Sequence, residues 1–208
     1  MSTFSTAATT RMALALATAG LLASGAAQAQ TAAHKPAAAH KPQQQQQQQL
    51  VPALLAELAQ HQAADKQVAQ HIATFDTLDF DVFTHQKWDR LHESHGQNIV
   101  VHWPDGRTTT GIDAHIADLK AMFVYAPDTR IETHPVKFGQ GEWTAVIGVM
   151  EGTFTKPMPI GDGKTLAPTG KAFKLTMATV GHWQGGSMSE EFLFWDNATF
   201  MKQLGLGQ

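Results

Sequence analysis

The sequence predicts an α+β domain whose helices pack on one face of a curved antiparallel sheet. Two observations carry this. Apolar residues recur at spacings of three, four and seven through the first part of the folded chain, and four long strand-like runs separated by turn residues fill the rest. Helices first and strands afterwards is the order of an α+β fold rather than of alternating strand-helix units. A sheet wrapped around helices leaves a cavity between the layers, and that cavity is the default place for a site.

The chain opens with an address. Met1 to Ala29 holds one positive residue, Arg11, then an apolar run from Met12 to about Ala23 and small residues ending Ala27-Gln28-Ala29. This is the pattern of a secretory signal peptide cut after Ala29, so the protein is expected in the periplasm or secreted. The run is about eleven residues, short of the roughly 18 to 20 that span a bilayer, so no membrane association is expected after cleavage. Loss of Arg11 takes the formal charge from −3 to −4. Residues 30–50 read as a disordered linker, because the HKP repeats at His34 and His40 and the run Gln43 to Gln49 have nothing with which to build a core. The folded domain is placed at 51–208, with a lead-in helix over 51–66.

Within the domain, Val51, Leu54, Leu55, Leu58, Val68, Ile72 and Phe75 set the helical period, and a second helical stretch follows over Asp81 to Glu93. Asn98 to Trp103 reads as a strand closed by Pro104-Asp105-Gly106. Thr110 is placed to cap a helix whose Ile112, Ile116, Leu119 and Phe123 form one apolar stripe ending before Pro127. Strands are expected at about Arg130 to Phe138, Trp143 to Thr155, Ala172 to Trp183 and Met188 to Trp195, with hairpin signals at Gly139-Gln140-Gly141 and Gln184-Gly185-Gly186. The Gly- and Pro-rich loop Lys156 to Gly170 is long enough for a lid, and Ala198 to Leu204 closes the chain as a short helix.

Composition removes several chemistries. With no cysteine there are no disulfides, thiolate metal sites or cysteine nucleophiles. A charge of −3 gives no cationic field for nucleic acid, and none is expected as a partner. GDGKT at Gly161 lacks the upstream glycine of a phosphate loop, and His92-Glu93-Ser94-His95 is HExH, which does not place both rings on one helical face. No GxSxG occurs.

Eleven histidines are the unusual feature. His182, on a strand just before a hairpin turn, and His102, beside Trp103 at a strand end, keep a functional case, whereas His115 and His134 read as structural or exposed. In the last strand, alternation puts Glu190, Phe192, Phe194 and Asp196 on one face and Glu191, Leu193 and Trp195 on the other. If the first set lines the cavity, Asp196 is a desolvated carboxylate with a raised pKa, usable as a general acid or base. Asp196 also directly precedes a helix, where aspartate is a standard N-cap. Glu151, inside the apolar run VIGVMEGTF, needs a partner or a cavity. No ligand spacing backs a metal set from His102, His182 and Glu151, so no metal or other cofactor is expected.

The ending FWDNATFMKQLGLG, with GHWQGGSMSEE before it and APDTRI at Ala126 to Ile131, resembles the SnoaL-like polyketide cyclases, or ester cyclases, of the nuclear transport factor 2-like superfamily. The resemblance covers about Val68 to Gly207. It implies a cone-shaped curved sheet wrapped around N-terminal helices and enclosing a cavity for an apolar small molecule. It also implies that Asp196 holds the acid/base position of an intramolecular aldol closure, with His182 at a position that is histidine in the cyclases. The expected function is an exported cyclase or isomerase acting on a carbonyl compound through Asp196, with His182 and His102 as further catalytic candidates. Trp88, Trp103, Met150, Glu151, Met177, Glu190, Phe192 and Phe194 are expected to contact the substrate. The alternative is a non-catalytic periplasmic binding module using the same cavity, with Asp196 only a cap. A homodimer through the face with Leu193 and Trp195 is left open.

Overall fold

A computed structural model describes residues 41–207. The signal peptide expected over 1–29 and the linker up to residue 40 lie outside the described residues. Helix α1 spans Lys41–Thr77, so the glutamine run expected to be irregular is helical from Lys41 and continuous with the lead-in segment. Glutamine is a good helix former, and the long unbranched side chain loses little freedom in a helix. Leu50, Val51, Leu54, Leu55 and Leu58 are each more than half exposed, and the helix turns core-facing only near its end, with His71 and Phe75 buried.

A π-helical turn over Leu78–Phe83 continues α1, and a 3-10 turn follows at Trp88–Glu93. The single helix expected there is broken at Gln86, whose φ of 54° lies in the left-handed region. Then come β1 (His95–His102), β2 (Thr108–Thr110) and α2 (Ile112–Tyr125). Thr110 ends β2 and does not cap α2; the cap position is Gly111 at φ 97°, where glycine adopts the left-handed backbone without a Cβ clash. The strand expected over Arg130 to Phe138 divides into β3 (Arg130–Ile131) and β4 (Val136–Gln140), either side of Pro135, which has no N–H for a ladder. Both pair with the long β5 (Trp143–Thr153). The 156–170 segment folds as a small hairpin, β6 (Met158–Pro159) with β7 (Thr165–Leu166), which packs Met158 and Leu166 against the core and lines no part of the central cavity. β8 (Ala172–Gln184), β9 (Ser187–Phe194) and α3 (Asn197–Gln203) complete the chain.

The main sheet runs β2-β1-β9-β8-β5-β3, with β4 also on β5. Its pairs are antiparallel except β1 with β9, which run parallel. The inner face of β8 carries Phe173, Leu175, Met177, Thr179, Gly181 and Trp183, all buried, and its outer face alternates with them. Across β9 the alternation changes phase. Trp183 pairs with Met188 but His182 pairs with Glu190, so Ser189 is an extra residue and a bulge. Gly181 therefore faces Glu191 rather than Glu190. No described helix is long and apolar enough to cross a membrane.

Candidate functional site

The bulge decides what the cavity contains. Glu191, Leu193 and Trp195 line it, together with Trp103 just after β1, Met150 on β5 and Met177 on β8, and Leu78, Asp79 and His115 from the helical layer. Its volume is about 40 Å³, room for roughly three waters at 10 to 15 Å³ each in this measure.

Two polar groups of residues meet there. The first is His95 at the start of β1, His115 on α2 and Glu191 on β9, all buried. Glu191 Oε2 lies 3.4 Å from His115 Nε2 and 3.7 Å from His95 Nε2. These are charge contacts too long for good hydrogen bonds, and Glu191 Oε2, His95 Nε2 and His115 Nδ1 have no hydrogen-bond partner among the described residues. Burial opposes ionisation of Glu191, but His95 and His115 outweigh it and hold its carboxyl below the ordinary range. Burial drives His115 down to about 4 against the pull of Glu191, so it is a neutral imidazole at neutral pH.

The second group is Asp79, on the turn that continues α1, with His134 behind it. His134 Nε2 is 2.8 Å from Asp79 Oδ2 and its Nδ1 is 2.8 Å from Asp76 Oδ1. Lys137 also bonds Asp76. Burial pushes the Asp79 carboxyl above its ordinary range, against the hydrogen bond and charge of His134. Burial alone would discharge His134, yet the two aspartates prevail and raise its pKa. Folded His134 therefore keeps its proton to higher pH than the unfolded chain, whose value is about 6.5. Its contribution to stability is complete below pH 6.5 and is lost as pH rises through the raised folded value. Urea unfolding between pH 6 and 9 should show this alkaline loss in the native chain, and His134→Gln should flatten it.

Several residues singled out from the sequence lie elsewhere. Asp196 is exposed and caps α3, its Oδ1 accepting from the Ala198 and Thr199 amides at 2.9 and 3.2 Å and its Oδ2 from the Thr199 hydroxyl at 2.6 Å. Those bonds lower its pKa, the reverse of the desolvated carboxylate expected. Asp196→Ala should accordingly lower the melting temperature slightly, through loss of the cap, and leave turnover intact; a collapse of turnover in an otherwise folded variant would reinstate it. His102 and His182 sit on the outer face of the sheet. His102 bonds Glu190 at 2.8 Å and stacks on Phe192, and His182 stacks on Trp143 with Glu142 3.5 Å away. Glu190, Phe192 and Phe194 share that outer face, so the face expected inside is outside. Glu151 answers its need for a partner with Arg130 and Lys174, at 2.9 and 2.7 Å, away from the cavity. Trp88 packs edge-on against Phe83 and Phe123 rather than on the cavity wall. His115 and His134, read as structural or exposed, are buried side chains of the two polar groups.

Residues 73–204 match the SnoaL-like polyketide cyclase family, well over half of the chain. The chain belongs to that family. Solved structures agree on the fold. A SnoaL-like polyketide cyclase from Jannaschia sp. CCS1 superposes with a TM-score of 0.59 at 18% identity, over 68% of this chain and 95% of that one. IdmH, described as a polyketide cyclase of Streptomyces antibioticus, gives 0.56 at 23%, over 65% and 99%. A Catenulispora acidiphila protein of ketosteroid isomerase-like fold, in complex with trimethylamine, gives 0.50 at 15%, over 65% and 92%. No protein of curated function matches the chain. At these identities the structures establish the cone-shaped α+β fold of this SnoaL-like chain, and the chemistry has to be argued from its own cavity.

Proposed function

We propose that this SnoaL-like chain is an exported cyclase- or isomerase-type enzyme that moves a proton beside a carbonyl group, with Asp79 as general acid/base. The observation that carries the reading is a cavity in which a carboxylate raised by burial, Asp79, shares the walls with His95, His115 and Glu191. Two carboxyl groups whose surroundings drive their pKa values in opposite directions are a common basis for dividing acid and base roles. Asp79 takes the proton from carbon, His134 holds its second oxygen, and the negative charge that develops on the carbonyl oxygen is met by the imidazole edge of the opposite group. Attack of that enolate on a second carbonyl closes a ring, and Asp79 returns its proton to the alkoxide so formed; return of the proton from Asp79 to another carbon instead isomerises. Met150, Met177, Leu193 and Trp103 contribute apolar surface to the remaining wall. The volume of about 40 Å³ is well below the roughly 150 Å³ that holds a benzene ring, and favours a small acyclic carbonyl compound over a cyclic one.

The test is deuterium exchange from solvent into a panel of small β-dicarbonyl and related compounds, followed by mass spectrometry. Exchange accelerated by the native chain and not by Asp79→Asn supports the reading; equal rates would sink it. Export is supported by the Met1 to Ala29 pattern. The mature protein recovered from outside the cytoplasm should begin at Gln30, which intact-mass measurement checks.

A further inference from the structure

We propose that His95 Nε2, His115 Nε2 and Glu191 Oε2 hold a divalent first-row transition-metal ion, of the zinc class, at the polar end of the cavity. One ligand atom from each of the three residues lies within 4.8 Å of the other two, and Glu191 Oε2 is 3.4 Å from His115 Nε2 and 3.7 Å from His95 Nε2. A tetrahedral ion with bonds of about 2.0 to 2.1 Å keeps its ligands about 3.3 to 3.4 Å apart, so small side-chain movements complete the geometry. Two imidazoles and a carboxylate are a donor set suited to zinc or iron, and three protein ligands leave a position for water or substrate.

The hydrogen-bond pattern around His95 strengthens the case. Ser94 Oγ donates to Leu91 O at 3.2 Å, so at 2.9 Å it accepts from His95 Nδ1–H. In the neutral His95 ring the unprotonated Nε2 then lies 3.7 Å from the Glu191 carboxylate, acceptor against acceptor, in a buried site. An unpaired buried polar group keeps the cost of its lost hydration, and a cation between the two satisfies both. Ser94 also plays the part of the outer partner that orients a metal-binding imidazole. Binding of the ion is independent of the reaction proposed above; only its use, as a Lewis acid on the substrate carbonyl oxygen while Asp79 takes the proton, rests on that reading.

The experiment titrates the full chain, stripped with chelator, with Co²⁺ and then Zn²⁺. One equivalent of Co²⁺ should give the intense visible absorption of a tetrahedral site, displaced by Zn²⁺, and Zn²⁺ should raise the melting temperature. His115→Asn and Glu191→Gln should each weaken binding at least about 100-fold, since loss of an outer partner alone costs about 10- to 100-fold. His34→Ala/His40→Ala should bind like the native chain. Asp79→Asn should keep the Co²⁺ spectrum while losing proton exchange, which separates the metal site from the proposed reaction. A weak octahedral spectrum, equal binding by His115→Asn and the native chain, or binding that disappears with His34 and His40, would overturn the proposal. The native spectrum decides even if a variant fails to fold.

Discussion

Asp79→Asn will slow proton exchange at the substrate carbon by about 10²- to 10⁴-fold, the range that general acid/base catalysis supplies. Asparagine keeps the shape of the side chain and still offers an oxygen to His134 Nε2, so the cavity and its packing survive while the basic oxygen is lost. The deficit should therefore appear in the rate and much less in substrate affinity. An interaction used only in the transition state has that signature. Rates of exchange for the native chain, Asp79→Asn and Asp196→Asn, measured side by side, separate the two aspartates. If Asp196→Asn shows the deficit and Asp79→Asn does not, the base is outside the cavity and the mechanism offered here is wrong.

Trp183→Ala will destabilise the domain by about 3 to 5 kcal/mol, the range for truncating a buried aromatic side chain. Trp183 is 1% exposed and is among the largest fully buried side chains. It stacks on His71 of α1 with ring centroids 4.5 Å apart and planes 4° from parallel, and its Nε1 donates to Thr144 Oγ1 at 2.8 Å. One side chain thus ties the helix to β8 and, through Thr144, to β5. Removing it opens a cavity, frees the face of His71 and leaves a buried hydroxyl without its donor. Urea unfolding should show a lower midpoint with an unchanged slope. The contrast is Trp143→Ala: Trp143 is 43% exposed on the outer face, where little is lost. Similar losses for the two tryptophans would contradict this account of the core.

Much of the architecture was legible from periodicity. Leu119 and Phe123 on α2 face the core at the spacing read from the sequence, and the strand expected over Ala172 to Trp183 forms as β8, with Phe173, Leu175, Met177 and Trp183 facing inward. Turn glycines fell where strands reverse, and Gly185 and Gly186 both have positive φ. The stripe Leu50 to Leu58 had the right period for a helix, yet it lies exposed, because period says that a helix has an apolar face and not what that face meets. His115 was separable in principle, since it is three residues after Ile112 and four before Leu119 and so lies on their face. His95, His134 and Asp79 left no such mark, because their neighbours in the site come from distant elements.

The sequence by itself determined most of the helices, strands and turn positions, which follow from local spacing and side-chain type, and its closing motifs carry the resemblance to the SnoaL-like family. Only the tertiary structure decided which face of β9 looks inward. Counted through an unbulged hairpin from the Gln184 and Ser187 pair, Gly181 would stand opposite Glu190 and the aromatic face would line the cavity. The extra residue at Ser189 shifts the register by one, and because strand side chains alternate with period two, a shift of one exchanges the faces. Glu191 comes to lie among His95 and His115, and Glu190 and Asp196 are turned to solvent. A bulge is set by how two strands and the layer beneath them pack together, and no alternation within one strand records it.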